Sequence, residues 1–136
     1  LLLFVLVKVW IPDRIFAFPK HQPRIWLLVM LIYPLISAWP QELMYRSFFF
    51  HRYEAILPRT SLLFALNVAL FGYLHIVFGN WIAPALTTIG GIMFTRTYVR
   101  TQSLPCVWIE HALWGNLIFT IGLGHFFYVG TAFPQN

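Results

Sequence analysis

An all-α fold, a polytopic transmembrane helical bundle with a site between helices at membrane depth, is what this sequence predicts. Three observations predict it. Of 136 residues, 60% are hydrophobic and 10% are charged, against about 25% charged in a soluble domain. The apolar residues form long runs; Thr60 to Thr95 holds no charge and one histidine, His75. The few polar groups inside or beside those runs fall in three clusters: Gln41-Glu42 with Arg46, His75 one turn after Phe71, and Glu110-His111 followed by Asn116. Ionisable groups at membrane depth are costly unless paired or functional.

Taken in order, Leu1–Ile11 reads as the end of a helix. Leu1 already lies in an apolar stretch, so the expectation is a fragment or trimmed chain, residues 1–136 forming one transmembrane domain. At about 20 residues per crossing the length allows four to five spans. A signal peptide fits poorly, because Lys8 follows the apolar run and no small-residue cleavage site comes after it. Pro12 to Pro23 is a basic loop punctuated by Pro12, Pro19 and Pro23. Ile25–Trp39 is uncharged and interrupted by Pro34. Trp39-Pro40 reads as a break with a fresh helix start, and that helix carries Gln41, Glu42 and Arg46 to about Ile56. Gly79-Asn80 divides the next apolar stretch into two spans, Arg96 and Arg100 close the second, and Leu104 to Val129 forms the last helix.

The net charge of +5 comes from basic residues in the loops, a positive-inside pattern rather than a nucleic-acid surface. The bilayer is therefore the first expected partner, and no nucleic acid is expected. If Ile25–Ile56 crosses once, the basic loops fall almost equally on both sides. If the chain turns back at Pro40, they share one side, and that bent arrangement is the expectation. Cys106 is the single cysteine, which excludes an intrachain disulfide and a multi-cysteine metal site; it reads as a packed small side chain.

Glu42 and Arg46 are four apart on one helix face and can pair. That pair is either structural or leaves a carboxylate able to orient or deprotonate a water. His75 lies deep in an uncharged span, as a hydrogen-bonded core histidine or a site residue. Glu110 is either a second carboxylate of the site or the group that orients His111. His51 and His125 fall near helix ends, and Glu54 and Asp13 read as solvated partners of Arg52 and Arg14. Several hydrolase chemistries are excluded. There is no G-x-S-x-G elbow and no H-E-x-x-H zinc motif. Glu42, His75 and His111 could alternatively hold a catalytic zinc, or bind a water directly without metal.

The segments Gln41-Glu42-Leu-Met-Tyr-Arg46, Phe71-Gly-Tyr-Leu-His75 and His111-Ala-Leu-Trp-Gly-Asn116 resemble the motifs E-E-x-x-x-R, F-x-x-x-H and H-x-x-x-N. Those belong to the CAAX protease and bacteriocin-processing (CPBP, or Abi) intramembrane proteases, which include the type II CAAX prenyl endopeptidases. The resemblance implies an integral membrane endopeptidase, expected in a bacterial inner membrane, whose substrate is a peptide or protein segment, lipidated or not. Carried over, Glu42 and His75 activate a water, His111 and Asn116 stabilise the oxyanion, and Arg46 holds the carboxylate. A glutamate mechanism with no metal cofactor is the expected form.

Two departures from the motifs bear on that reading. The leading position of motif one, usually the catalytic glutamate, is Gln41 here, and an amide cannot act as a general base. Either Glu42 takes over, or Glu110 supplies the carboxylate, or the protein is a proteolytically inactive membrane scaffold. Motif three carries an extra residue, Gly115. Residues five apart on a regular helix diverge by about 140°, so a π-bulge around Trp114-Gly115 is expected if Asn116 is to share a face with His111. A proton relay in a transporter fragment is a remoter alternative.

Overall fold

The computed structural model describes residues 2–57 and 60–127, and every regular element among them is a helix. Helix α1 spans Leu2–Trp10, a 3-10 turn follows at Pro12–Arg14, and α2 is short, Ala17–His21. Helix α3 runs unbroken over Pro23–Tyr53, 31 residues. Helix α4, Thr60–Leu74, continues as a 3-10 turn at His75–Phe78. Helices α5 (Ile82–Thr101) and α6 (Leu104–Thr120) complete the bundle, with a last 3-10 turn at Gly124–Phe127. Two segments, Pro23–Tyr53 and Thr60–Phe78, are long and apolar enough to cross a membrane. Helix α5 is 20 residues long but ends on Arg96 and Arg100, and α6 has 17 residues.

Local chemistry explains the boundaries. Gly79 takes a positive φ of 70° to end the 3-10 turn. Asn80 then caps α5, its Oδ1 accepting from the N–H groups of Ile82 and Ala83 at 3.0 and 2.9 Å, so donors left orphan at the helix start are met. Its Nδ2 reaches across to the Phe126 carbonyl at 2.8 Å. Ser103 caps α6, with Pro105 in the first turn. The last helix ends at Thr120, earlier than expected. Gly122 turns the chain there at φ 100°, so close to the Arg14 carbonyl that a Cβ would collide with it. Val129, the expected helix end, lies outside the described residues.

The chain does not turn back at Pro40. It passes straight through because α3 widens twice, into π turns at Pro34–Ala38 and Leu43–Phe48, with an α-helical turn, Trp39–Glu42, between them. Proline removes a backbone donor, and the widened turn absorbs the loss. The Pro34 carbonyl accepts from the Trp39 N–H and from the indole Nε1 of Trp108 on α6 at 2.6 Å. At the second π turn, Asn67 Nδ2 on α4 donates to the Tyr45 carbonyl at 2.5 Å, while Thr95 Oγ1 on α5 donates to Asn67 Oδ1 at 2.9 Å. Asn67 and Thr95 are fully buried, so these bonds replace solvation and tie three helices together.

Packing closes the bundle in three apolar clusters. Val7 of α1 meets Leu86 of α5 and Ile118 and Ile121 at the end of α6. Phe71 of α4, Phe94 of α5 and Val107 of α6 form the centre. Phe49 and Phe50 of α3 pack on Leu63 at the opposite end. Close helix approach relies on small residues: a Cβ on Gly72 would strike Thr88, and one on Gly115 would strike the Tyr33 ring. The outer face of α3 exposes Leu27, Leu28, Leu31, Leu35 and Ile36.

Candidate active site

The polar residues expected on separate helices do meet, but not as one ring around a cavity. Four-residue spacing on α3 makes two adjacent stripes. Ala38, Glu42 and Arg46 form the buried one, each with no exposed surface. Tyr33, Ser37 and Gln41 form the other, and they line a cavity of about 130 Å³ together with Thr87, His75 and His111. Phe71, Phe78 and Phe127 are among the aromatic walls. Glu42, Arg46, Glu110 and Asn116 do not line it.

Glu42 stands one step behind the cavity. Its Oε1 accepts from His111 Nδ1 at 2.7 Å, and its Oε2 lies 3.1 Å from Arg46 Nε. A carboxylate can only accept, so Nδ1 carries the proton of that bond and Nε2 is the ring nitrogen left for the cavity that His111 lines. In the 3-10 turn after α4, His75 Nδ1 donates to the Phe71 carbonyl at 2.7 Å, which leaves Nε2 in the same role. Phe94 stacks on the His111 ring, centroids 4.5 Å apart, and Phe71 meets it edge-on at 5.7 Å.

The Arg46 guanidinium lies over the Phe71 ring at 4.6 Å and near Phe94 at 5.5 Å, a cation–π setting that strengthens on desolvation. It is close to Glu42 yet its N–H groups align with no acceptor among the described residues. The two observations agree if the pair is Coulombic rather than a directed hydrogen bond, which is the reading the misaligned geometry supports. Glu110 lies within Coulombic reach of the same guanidinium; it is half-buried, with a buried Oε2 that has no protein partner. Glu110 thus lies behind the site near Arg46 instead of orienting His111, which Glu42 does.

Asn116 differs from expectation. Helix α6 is regularly α-helical from Leu104 to Thr120, with no π-bulge at Gly115. Gly115 instead lets α6 press against Tyr33. The π turns are on α3, where prolines and polar residues act on the backbone. Asn116 Nδ2 donates to the Met30 carbonyl at 3.2 Å, the acceptor that Pro34, four residues on, has no N–H to serve. Gln41 was expected only as a missing acid, yet it is Gln41 that reaches the cavity; its Nε2 donates to Ser37 Oγ at 3.0 Å and its Oε1 is buried without a partner. Tyr33, Ser37 and Thr87 were missed, although the spacing Tyr33-Ser37-Gln41 was legible as one stripe. Cys106 is exposed rather than packed, and Asp13, His51 and Glu54 are exposed near helix ends. Neither Asp13 nor Glu54 forms an ion pair among the described residues.

Glu42, His75 and His111 do not fit a zinc site. Both oxygens of Glu42 face Arg46 and His111, and among the described residues no three His, Cys, Asp or Glu side chains are placed to hold a metal ion.

Residues 23–118, from the start of α3 to near the end of α6, match the family of type II CAAX prenyl endopeptidase Rce1-like proteins. The chain belongs to that family. The match covers both segments able to cross a membrane and all three polar clusters. No curated protein and no solved structure matches the chain. Membership makes a peptidase of the CAAX type the functional class, and the matched segment carries Glu42 on α3, His75 in the 3-10 turn after α4 and His111 on α6.

Proposed function

We propose that the chain is an intramembrane endopeptidase in which Glu42 acts through His111, and His75 activates the water. The observation that carries this reading is the 2.7 Å bond from His111 Nδ1 to Glu42 Oε1, made behind a cavity that both histidines line. Glu42 Oε1, by accepting from Nδ1–H, supports positive charge on the His111 ring when Nε2 also carries a proton. Its Nε2–H then becomes a charge-assisted donor to the oxyanion of the attacked carbonyl, the kind of group whose loss costs about 10²–10³ in rate. His75, fixed through Nδ1 on a main-chain carbonyl, offers Nε2 as the base that takes the water proton and returns it to the leaving amine. Asn116 would hold α6 on α3 through its bond to the Met30 carbonyl. No step needs a metal. The substrate class is a peptide or protein C-terminus bearing a prenyl group, a reading supported by membership of the CAAX prenyl endopeptidase family and by the apolar outer face of α3, which fits a bilayer.

The test is cleavage of a fluorogenic prenylated CAAX peptide by the purified protein in detergent. His75→Ala and His111→Ala are expected to abolish turnover. Glu42→Gln, which keeps an acceptor for Nδ1 but not the charge, should lower kcat by about 10²-fold or more, while Glu110→Gln and chelator leave it near wild type. Full activity of folded His75→Ala or His111→Ala would sink the proposal. A second reading, a proteolytically inactive membrane scaffold, is favoured by one observation: the side chain reaching the cavity from motif one is the amide of Gln41. It predicts no cleavage by the wild type and the appearance of cleavage in Gln41→Glu.

A further inference from the structure

We infer that Gln41 is a catalytic residue of this site, the acceptor that orients the attacking water, in place of deprotonating it. The inference rests on the endopeptidase reading above. Gln41 shares the cavity with His75 and His111, whereas Glu42, the acid beside it, does not. Its Nε2 is tied to Ser37 Oγ, one turn back on the same stripe, which fixes the amide plane. Its Oε1 is buried and accepts from no group among the described residues. A buried carbonyl oxygen left unpaired costs about 1–3 kcal/mol, so a polar partner in the cavity is the stabilising arrangement. The cavity volume, about 130 Å³, accommodates roughly four waters at about 30 Å³ each.

A water there has two hydrogens and two acceptors to receive them: Gln41 Oε1 and His75 Nε2. Accepting one hydrogen at Gln41 and the other at His75 aims the oxygen lone pair at a carbonyl carbon whose oxygen meets His111 Nε2–H. As the new C–O bond forms, the carbonyl π pair moves onto the oxyanion and the proton passes to His75 Nε2. When the oxyanion pair returns, the C–N bond breaks and the amine leaves with the proton from His75. Gln41 holds its hydrogen throughout and never changes charge. A glutamine cannot be a base, but orientation of a water by an amide oxygen needs no titration.

The experiment compares Gln41→Met, which keeps length without an acceptor, with Gln41→Glu, which keeps the acceptor, in the same fluorogenic prenylated-peptide assay. Melting temperatures verify folding. We expect Gln41→Met to lose at least about tenfold in kcat with KM within about twofold, its acid limb on the pH–kcat profile unmoved, because Gln41 does not titrate. Gln41→Glu is expected to keep at least the wild-type rate. Wild-type kcat in folded Gln41→Met overturns the inference while leaving the His75–His111 reading intact. Loss in both variants at unchanged melting temperature also overturns it, since shape and not an acceptor would then be what matters. A high-resolution crystal structure provides a readout independent of activity. A water within hydrogen-bond distance of Gln41 Oε1 and His75 Nε2 is expected, and a dry Oε1 refutes the role even for a protein that cleaves nothing.

Discussion

Glu42 and Arg46 are both without exposed surface, and that shapes what each can do. Removing one partner of a buried pair leaves an uncompensated charge and costs about 3–5 kcal/mol, whereas replacing both by apolar groups is often near neutral. Glu42→Gln is therefore expected to destabilise by about 3–5 kcal/mol, and Glu42→Gln with Arg46→Met by less than the single change, measured by denaturant unfolding in mild detergent. A double variant less stable than the single one would show that Arg46 is held chiefly by Phe71, Phe94 and Glu110. Asn116 poses the opposite question. Asn116→Ala strips the Met30 carbonyl of its donor and should cost about 1–3 kcal/mol, with activity falling only as far as the folded fraction falls. A selective drop in kcat in fully folded protein would instead place Asn116 at the oxyanion. At this scale the sequence revealed residue types but not directions. Gln41 and Glu42 are neighbours, and about 100° of helical rotation sends one to the cavity and the other behind it.

Helix α3 is the element that organises the site. Its prolines pointed to a break, yet they are accommodated by two π turns. The expected bulge belongs to this helix and not to α6. Side-chain donors from other helices, Trp108, Asn67 and Asn116, serve carbonyls at or next to those turns. No single-helix pattern could reveal them, because each donor is 22 or more residues away in the chain. Asn67→Ala should lower stability by about 1–3 kcal/mol and reduce kcat through the displaced Arg46–Glu42 pair, with Asn67→Asp failing to rescue because it lacks the amide donor. An Asn67→Ala protein with unchanged melting and activity would remove Asn67 from any such role. Gly115→Ala forces a methyl into the Tyr33 ring. Overpacking of this kind costs about 1–3 kcal/mol, and Tyr33→Ala in the same chain should recover part of it.

The whole molecule answers the question of the basic loops. Because α3 passes straight through, Arg14, Lys20 and Arg24 gather at one end, and Arg52, Arg96 and Arg100 at the other. That end is marked by Phe50 packing on Tyr98. Positive charge is then nearly balanced and does not orient the bundle. Trp10 and Trp81 are 60% and 82% exposed and share one end, where Trp10 stacks on Phe126 and the Asn80 amide reaches the same residue. Such residues suit a headgroup-level aromatic belt. Single-tryptophan variants retaining Trp10 or Trp81 are expected to be quenched more by lipid spin labels near the headgroup than by labels deep in the acyl chains. The reverse order would refute that placement.

Composition, apolar runs and three polar motifs determined the helical fold, the family and which polar residues are candidates for the site, because burial in lipid tolerates so few charged groups that each one present is informative. Only the tertiary structure decided which of them reach the cavity. That depends on where the hydrogen-bond ladder of α3 widens, on Tyr33 and Gly115 setting the approach of α6, and on distant side chains that serve displaced carbonyls. These are long-range contacts that no local pattern encodes. They place His75, His111 and Gln41 at the cavity, with Glu42 behind His111.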